Sequence, residues 1–384
     1  MTIILPKFDT RPLHGNTEDQ MMHVILPWEL VEEILYRVPP LSLTRFKIVC
    51  KQWNTLFKSK SFVNNHLVRV RPQFLLWTDS KMYSVSVNLN DDPKIDMREL
   101  PLDIPYLNNF MRTYFTPCDG LLFCDSWSWR KKAAIWNPWL RQTKWIEYSK
   151  EKTFTFRGIG YDSGRPDKGH KIIGSSIYNK RKLIEDPLYR SVEIYTFETN
   201  GWKSMNTFSE EGEIRPLSDV SLNGNLYWVV SNGETHECFI ESFDFSKEIY
   251  KCFCTLPWNY NSFHVPVLST FRKDRLSVLK RKRMAKTNNI EIWVTKNKIN
   301  DDGEPVAWIK FMTVSIAISS NSSPSFFIDN VYQKSFIMCC EDENNKLCVY
   351  IVRGNALTKI QIVGVDAKNY INHCSYVPSL IPVP

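Results

Sequence analysis

The sequence predicts a small all-α unit followed by a large all-β domain, the β part arranged as a six-bladed propeller or, alternatively, a two-sheet sandwich. Three observations carry this. In "LPWELVEEILYRVPPLSLTRFKIVCKQWNTLF", Leu26 to Phe57, apolar residues recur at helical spacing in short runs. From Arg71 onward the pattern changes to short apolar runs broken by Asn, Asp, Gly and Pro, as strands and turns require. The clearest runs recur at a step of roughly fifty residues, room for about four short strands with their turns.

Pro27 suits a first helical turn, where its missing N–H is harmless, and Glu29 falls near the positive end of the helix. Leu30, Val31, Ile34, Leu35 and Val38 then form one stripe, which Pro39 and Pro40 stop. Ser42 is placed to cap a second helix carrying Leu43, Phe46 and Val49, and a third runs through Cys50, Trp53, Asn54 and Phe57. "SFVNNHLVR" reads as a last helix closing the small unit. The helices hold more large apolar side chains than elements of two or three turns enclose, so some of them must meet a partner or the rest of the chain. A helical cap packed on the β domain is one reading. A DNA-binding helix-turn-helix, with Arg45, Lys47 and Lys51 on phosphates, is disfavoured because Gln52 and Asn54 stand among bulky apolar residues.

These same residues resemble an F-box, the segment by which an adaptor attaches to the Skp1 subunit of a cullin-based ubiquitin ligase. Leu26 and Pro27 match its opening, Leu30 to Val38 its first helix, and Pro39 to Trp53 its "PxxSLxRFxxVCKxW" signature. The resemblance implies that Leu26, Pro27, Leu30, Ile34, Leu35, Pro39, Leu43 and Val49 lie in or just behind a contact with a Skp1-like protein, with Leu30, Ile34, Pro39, Leu43 and Val49 forming its apolar surface. Between Leu26 and Arg71 there are eight Lys or Arg against three Glu, which favours association with an acidic partner.

In the remainder, strand runs begin near Gly120, Lys171, Gly224, Arg275 and Val331, each followed by a partner run such as "AAIWNPWLRQTKWIE" or "VEIYTFETNGWKSM". Asn223-Gly224 is a tight-hairpin signal, with Leu226, Trp228 and Val230 alternating against Tyr227 and Val229. "CDGLLF", "WNP", "GIGYD", "SLNGNLYWV", "SFDFSKE" and "NNIEIWV", in that order, resemble the plant F-box-associated interaction domain, related to kelch-like repeats. The expected division is a flexible tail over 1–23, the F-box over 24–70 and the β domain over 71–384.

Composition is that of a globular chain: 384 residues, 43% hydrophobic, 23% charged, 13% aromatic, net charge +8. The charge is modest and does not single out nucleic acid. The opening lacks a basic region followed by a sustained apolar core, and no run approaches about eighteen apolar residues, so neither secretion nor membrane spanning is expected. Cys252 and Cys254 flank one residue and Cys339 and Cys340 adjoin, but no further pair or His stands at finger spacing, so reduced cysteines and no metal or cofactor are expected.

Catalytic motifs are missing: there is no GxSxG, P-loop, HExxH or dinucleotide fingerprint, and "GIGYDSGRPDKGHKII" reads as strand and turn. His170 and His264 have no sequence-local partner for acid–base work. The expected role is therefore that of a non-catalytic adaptor in the nucleus or cytoplasm, bringing an unidentified protein target to a Skp1-like protein and its cullin scaffold. Alternatives are a Skp1-binding adaptor without ligase function, or a propeller enzyme or ligand-binding protein. Loop residues Trp127, Trp129 and Arg130, with Tyr260 and His264, are the candidates for target contact. "KRKR", Lys280 to Arg283, reads either as an import or acidic-ligand signal or as a solvated hairpin.

Overall fold

A computed structural model describes residues 26–78, 80–101, 113–126, 131–150, 153–165, 168–178, 189–209, 218–232, 235–259, 264–283, 288–299, 305–319, 323–329, 334–365 and 371–384. The chain begins with four helices, α1 (Trp28–Leu35), α2 (Pro40–Phe46), α3 (Lys51–Leu56) and α4 (Lys60–Arg69). α2 starts at Pro40 and not after a Ser42 cap. Pro39 occupies the cap position and its carbonyl receives the Ser42 and Leu43 amides at 3.0 and 3.1 Å, while Pro40 fills the one helical position where a missing N–H costs nothing. Cys50 Sγ accepts from the Trp53 amide at 3.5 Å to start α3, and Ser59 Oγ from the Phe62 amide at 3.2 Å to start α4.

Six four-stranded antiparallel sheets follow, a six-bladed propeller and not a two-sheet sandwich. From the axis outward, blade 1 is β24 (Asn372–Tyr376), β1 (Gln73–Trp77), β2 (Met82–Asn88) and β3 (Lys94–Leu100). In the same direction, blade 2 is β4 (Thr113–Cys118), β5 (Leu121–Ser126), β6 (Lys132–Asn137) and β7 (Gln142–Glu147). Blade 3 is β8 (Thr153–Tyr161), β9 (His170–Tyr178), β10 (Tyr189–Thr196) and β11 (Gly201–Ser209). Blade 4 is β12 (Asp219–Leu222), β13 (Asn225–Ser231), β14 (Glu237–Asp244) and β15 (Ile249–Asn259). Blade 5 is β16 (His264–Phe271), β17 (Arg275–Arg283), β18 (Asn288–Thr295) and β19 (Trp308–Ile316). Blade 6 is β20 (Ser325–Asp329), β21 (Ser335–Glu341), β22 (Leu347–Arg353) and β23 (Ala356–Gln361).

The recurring step in the sequence is the distance between second strands, which begin at Gln73, Leu121, His170, Asn225, Arg275 and Ser335. Blade 1 takes its inner strand from the far end of the chain: β24 pairs with β1 in the register Gln73↔Tyr376 to Trp77↔Asn372, which closes the ring and removes two open edges. Around the axis β24 touches β20 and β4, and β12 touches β16 and, directly, β4. β8 reaches β4, β5 and β13, so blade 3 stands further out than its neighbours. The β4–β12 seam is polar, with Thr116 Oγ1 donating to Asp219 Oδ2 at 2.8 Å and Ser221 Oγ lying 3.2 Å from Cys118 Sγ.

Because every blade is an antiparallel meander, turns after first and third strands share one face and turns after second strands share the other. The first kind includes Asp119-Gly120 and Asn223-Gly224, each with both residues at positive φ, the requirement of a two-residue hairpin that matches strand twist. α4 runs into β1, a second strand, so the helices lie on that face.

Candidate functional site

The helical unit is built around Leu35, Tyr36, Leu43, Trp53, Phe57, Phe62, Val63 and Leu67, all buried. Tyr36 stacks on Phe62 at 4.8 Å, and Phe62 and Phe57 meet at 5.3 Å. His66, also buried, holds the Val38 carbonyl at 2.9 Å; burial pushes its pKa down, the carbonyl opposing and Lys273 adding to the fall. With that interior filled, Leu30 and Ile34 at 51%, Val49 at 49% and Ile48 at 91% exposure still face outward on the first three helices and their links, and Val68 does so on α4. Pro27 and Pro39 are exposed beside them and Leu26 is half-buried. Leu43 does not belong to that surface. Its side chain and that of Leu35 point into the core, so both support the outward residues from behind. Ile48, the most exposed of the set, is missed by sequence reading as a contact residue because it falls between Lys47 and Val49, off the threefold spacing of Leu43, Phe46 and Val49.

The same helices share one apolar cluster with blades 2 and 3 and with Leu380 and Ile381 of the C-terminal tail. Leu41 packs with the cluster between blades 1 and 2. At the far side of the face, Lys273 Nζ in the first turn of blade 5 donates to the Leu67 carbonyl and lies 3.4 Å from that of Val70, while Arg71 pairs with Asp329 at 3.6 Å. On the same face, in the first turns of blades 2 and 3, Asp119 receives Tyr161 OH at 2.6 Å and Lys168 Nζ at 3.0 Å. The tail is fastened by Asn137, whose amide donates to the carbonyls of Ser379 at 3.2 Å and Ile381 at 2.7 Å. Helices and tail therefore occupy one face of the propeller, and the opposite face is the one they leave uncovered.

Of the candidates for target contact, Trp127, Trp129, Arg130 and Tyr260 lie outside the described residues. The strands that bracket them end on the face opposite the helices, and His264 opens β16 at that rim, paired with Lys282. Lys280 to Arg283 is not a free tail but one arm of the hairpin that β17 forms with β18. It is the last stretch of β17, paired with β16 and β18, and Arg281 is buried with Nη1 donating to the Ser319 carbonyl at 3.3 Å. The hairpin is one of the two sequence readings; the burial of Arg281 is not legible there, because a basic run gives no apolar alternation from which to infer an inward side chain. Among the described residues no group of three or more His, Cys, Asp or Glu is arranged to hold a metal, and all ten cysteines are free.

A helical unit with an outward apolar patch, locked to one face of a closed propeller that offers its other face, defines a scaffold with two separate docking sides. Residues 25–65 match the F-box domain family and residues 73–383 the F-box associated beta propeller domain family. The chain belongs to the F-box proteins with an F-box associated propeller, whose members are adaptors and not enzymes. It is 54% identical over 372 residues to an Arabidopsis thaliana protein named for the F-box, At1g12190, covering 95% of this chain and 97% of that one. It is 46% identical to the F-box protein At3g17710 of the same plant, over 95% and 98% of the two chains, and 41% identical to Protein SUPPRESSOR OF NIM1 1, over 94% and 98%. This architecture is typical of the adaptors of Skp1–cullin–F-box assemblies.

Proposed function

We propose that the chain is the target-recognition subunit of a Skp1–cullin–F-box ubiquitin ligase, binding a Skp1-like protein through its helices and a protein target through the propeller. The observation that carries this is the outward set Leu30, Ile34, Ile48 and Val49 over a core already filled by Leu35, Leu43 and Phe62. Such a patch on a small helical unit marks a partner site. The chain contributes no bond-making group; it raises the effective concentration of target lysines near the transferring enzyme. The role carries with it a nuclear or cytoplasmic location. Reconstitution of the full chain with a Skp1-like protein, a cullin, its RING subunit and a charged conjugating enzyme tests the reading. Ubiquitin conjugates that require the chain support it; stable assembly without any conjugates favours an adaptor lacking ligase activity.

A further inference from the structure

The alternation along β17 sends Leu276, Val278, Lys280 and Lys282 to one side and Leu279 and Arg281 to the other. Leu276 and Val278 pack with Leu222, Tyr227 and Ile240 of blade 4, so the first side faces that blade. Above this core the flank between blades 4 and 5 is lined by aromatic rings and ammonium groups. Trp258 of β15 and Trp293 of β18 meet at 5.9 Å, with Lys280 Nζ 5.1 Å from the first ring and Lys310 Nζ 5.0 Å from the second. Lys251 Nζ stands 5.8 Å from the Phe253 ring in the same flank. Among the described residues one carboxylate answers them: Glu291 accepts from Lys310 Nζ at 2.8 Å and from Trp293 Nε1 at 3.4 Å. Lys282 and Lys310 are exposed and Lys280 half-buried. Burial lowers the Lys280 pKa most; Glu291 opposes, and Lys310 and Lys282 add to the lowering.

We propose that this flank, from Lys310 up to Lys282 at the rim of the uncovered face, is a docking surface for a carboxylate-rich segment of the protein target. The inference rests on the adaptor reading and names the chemistry of what the adaptor receives. Among the described residues Lys280, Lys282 and Lys310 stand around the single carboxylate of Glu291 and leave positive charge that partner carboxylates neutralise, and the surrounding rings lower the local dielectric in which those pairs form. The cations on this side are lysines, point charges without the planar fork that favours phosphate, while Arg281 is turned into the protein. Single-stranded nucleic acid fits less well. The two indole rings pack against each other and carry their own ammonium groups, which leaves no open platform for a base.

The test is fluorescence anisotropy with the full chain and a fluorescein-labelled peptide of alternating Glu and Ser. Lys280→Gln with Lys310→Gln is compared with a charge-matched control, Lys94→Gln with Lys346→Gln, on blades 1 and 6. The expected result is an affinity loss of about tenfold in the first pair, little change in the control, and weakening by salt in the native chain. Equal loss in both pairs, or no binding to the native chain, overturns the proposal. So does a labelled oligouridylate that binds more tightly than the peptide and loses affinity in the same pair. A pull-down of a Skp1-like protein is run beside it: failure there with peptide binding intact sinks the adaptor reading and leaves this surface standing.

Discussion

Lys273, in a propeller turn, donates through Nζ to the carbonyl of Leu67 in the last turn of α4, so the helical unit and blade 5 share a hydrogen bond across 206 residues of sequence. Burial pushes the Lys273 pKa down to about 8, with Asp119 opposing. A cation at the carbonyl end of α4 complements the helix dipole and satisfies groups that the helix itself leaves open.

Lys273→Met should strip that donor from partly buried carbonyls and cost about 1–3 kcal/mol. Hydrogen exchange is expected to accelerate at residues 67–72, and Lys273→Arg should recover much of the protection. Unchanged exchange in the Met variant would show that the link carries no load.

Gly120→Ala tests the tail. Gly120 sits at φ +79, and an added Cβ would lie 2.2 Å from Ser379 Cβ. Both the backbone and the tail must then move, at a cost of roughly 2 kcal/mol or more. Carboxypeptidase should remove residues 377–384 faster from this variant than from the native chain; equal rates contradict the fastening of the tail at this turn.

Acid should loosen the ring closure. His373 of β24 lies 2.7 Å from Ser325 Oγ of β20, and burial holds its pKa at about 4, below the ordinary 6.5. The unfolded chain takes up a proton between those values that the folded chain does not, so the stability is complete above pH 6.5 and falls as pH drops toward 4. The loss is at most about 3 kcal/mol. His66, lowered mainly by burial, acts with the same sign. Thermal melts at neutral and acidic pH should show a smaller acid effect in His373→Gln; an identical decline removes His373 from the explanation.

Local chemistry is legible in the sequence wherever a short stretch determines it. Asn223-Gly224 announces its own turn, and both residues have positive φ. The blade step is legible because every second strand is an apolar run. What depends on distant contacts is not. β24 pairs with a strand some three hundred residues earlier, and nothing in "NHCSY" names β1 as its partner. The outward position of blade 3 comes from β12 meeting β4 directly, a packing outcome without a sequence signature. At the candidate site, helical spacing locates Leu30, Ile34, Leu35 and Leu43 without telling which way each side chain turns. That requires the positions of Phe62 and Leu67, which complete the core on the inner side.

Leu43→Ala and Ile34→Ala should part company on stability. The first empties a fully buried position and is expected to cost about 2–5 kcal/mol in chemical denaturation, the second, half exposed, well under that. Similar costs would mean that Leu43 does not fill the F-box core.

Titration of a Skp1-like protein into the full chain by calorimetry, with native protein against Leu30→Glu plus Ile34→Glu, is the most direct measurement of all. Both side chains are half exposed, so the variant should keep the native melting behaviour while its affinity drops at least about a hundredfold, as expected when charges enter the centre of an apolar contact. Native-like affinity in a folded double variant would contradict the placement of the Skp1 contact on the outward face of the F-box.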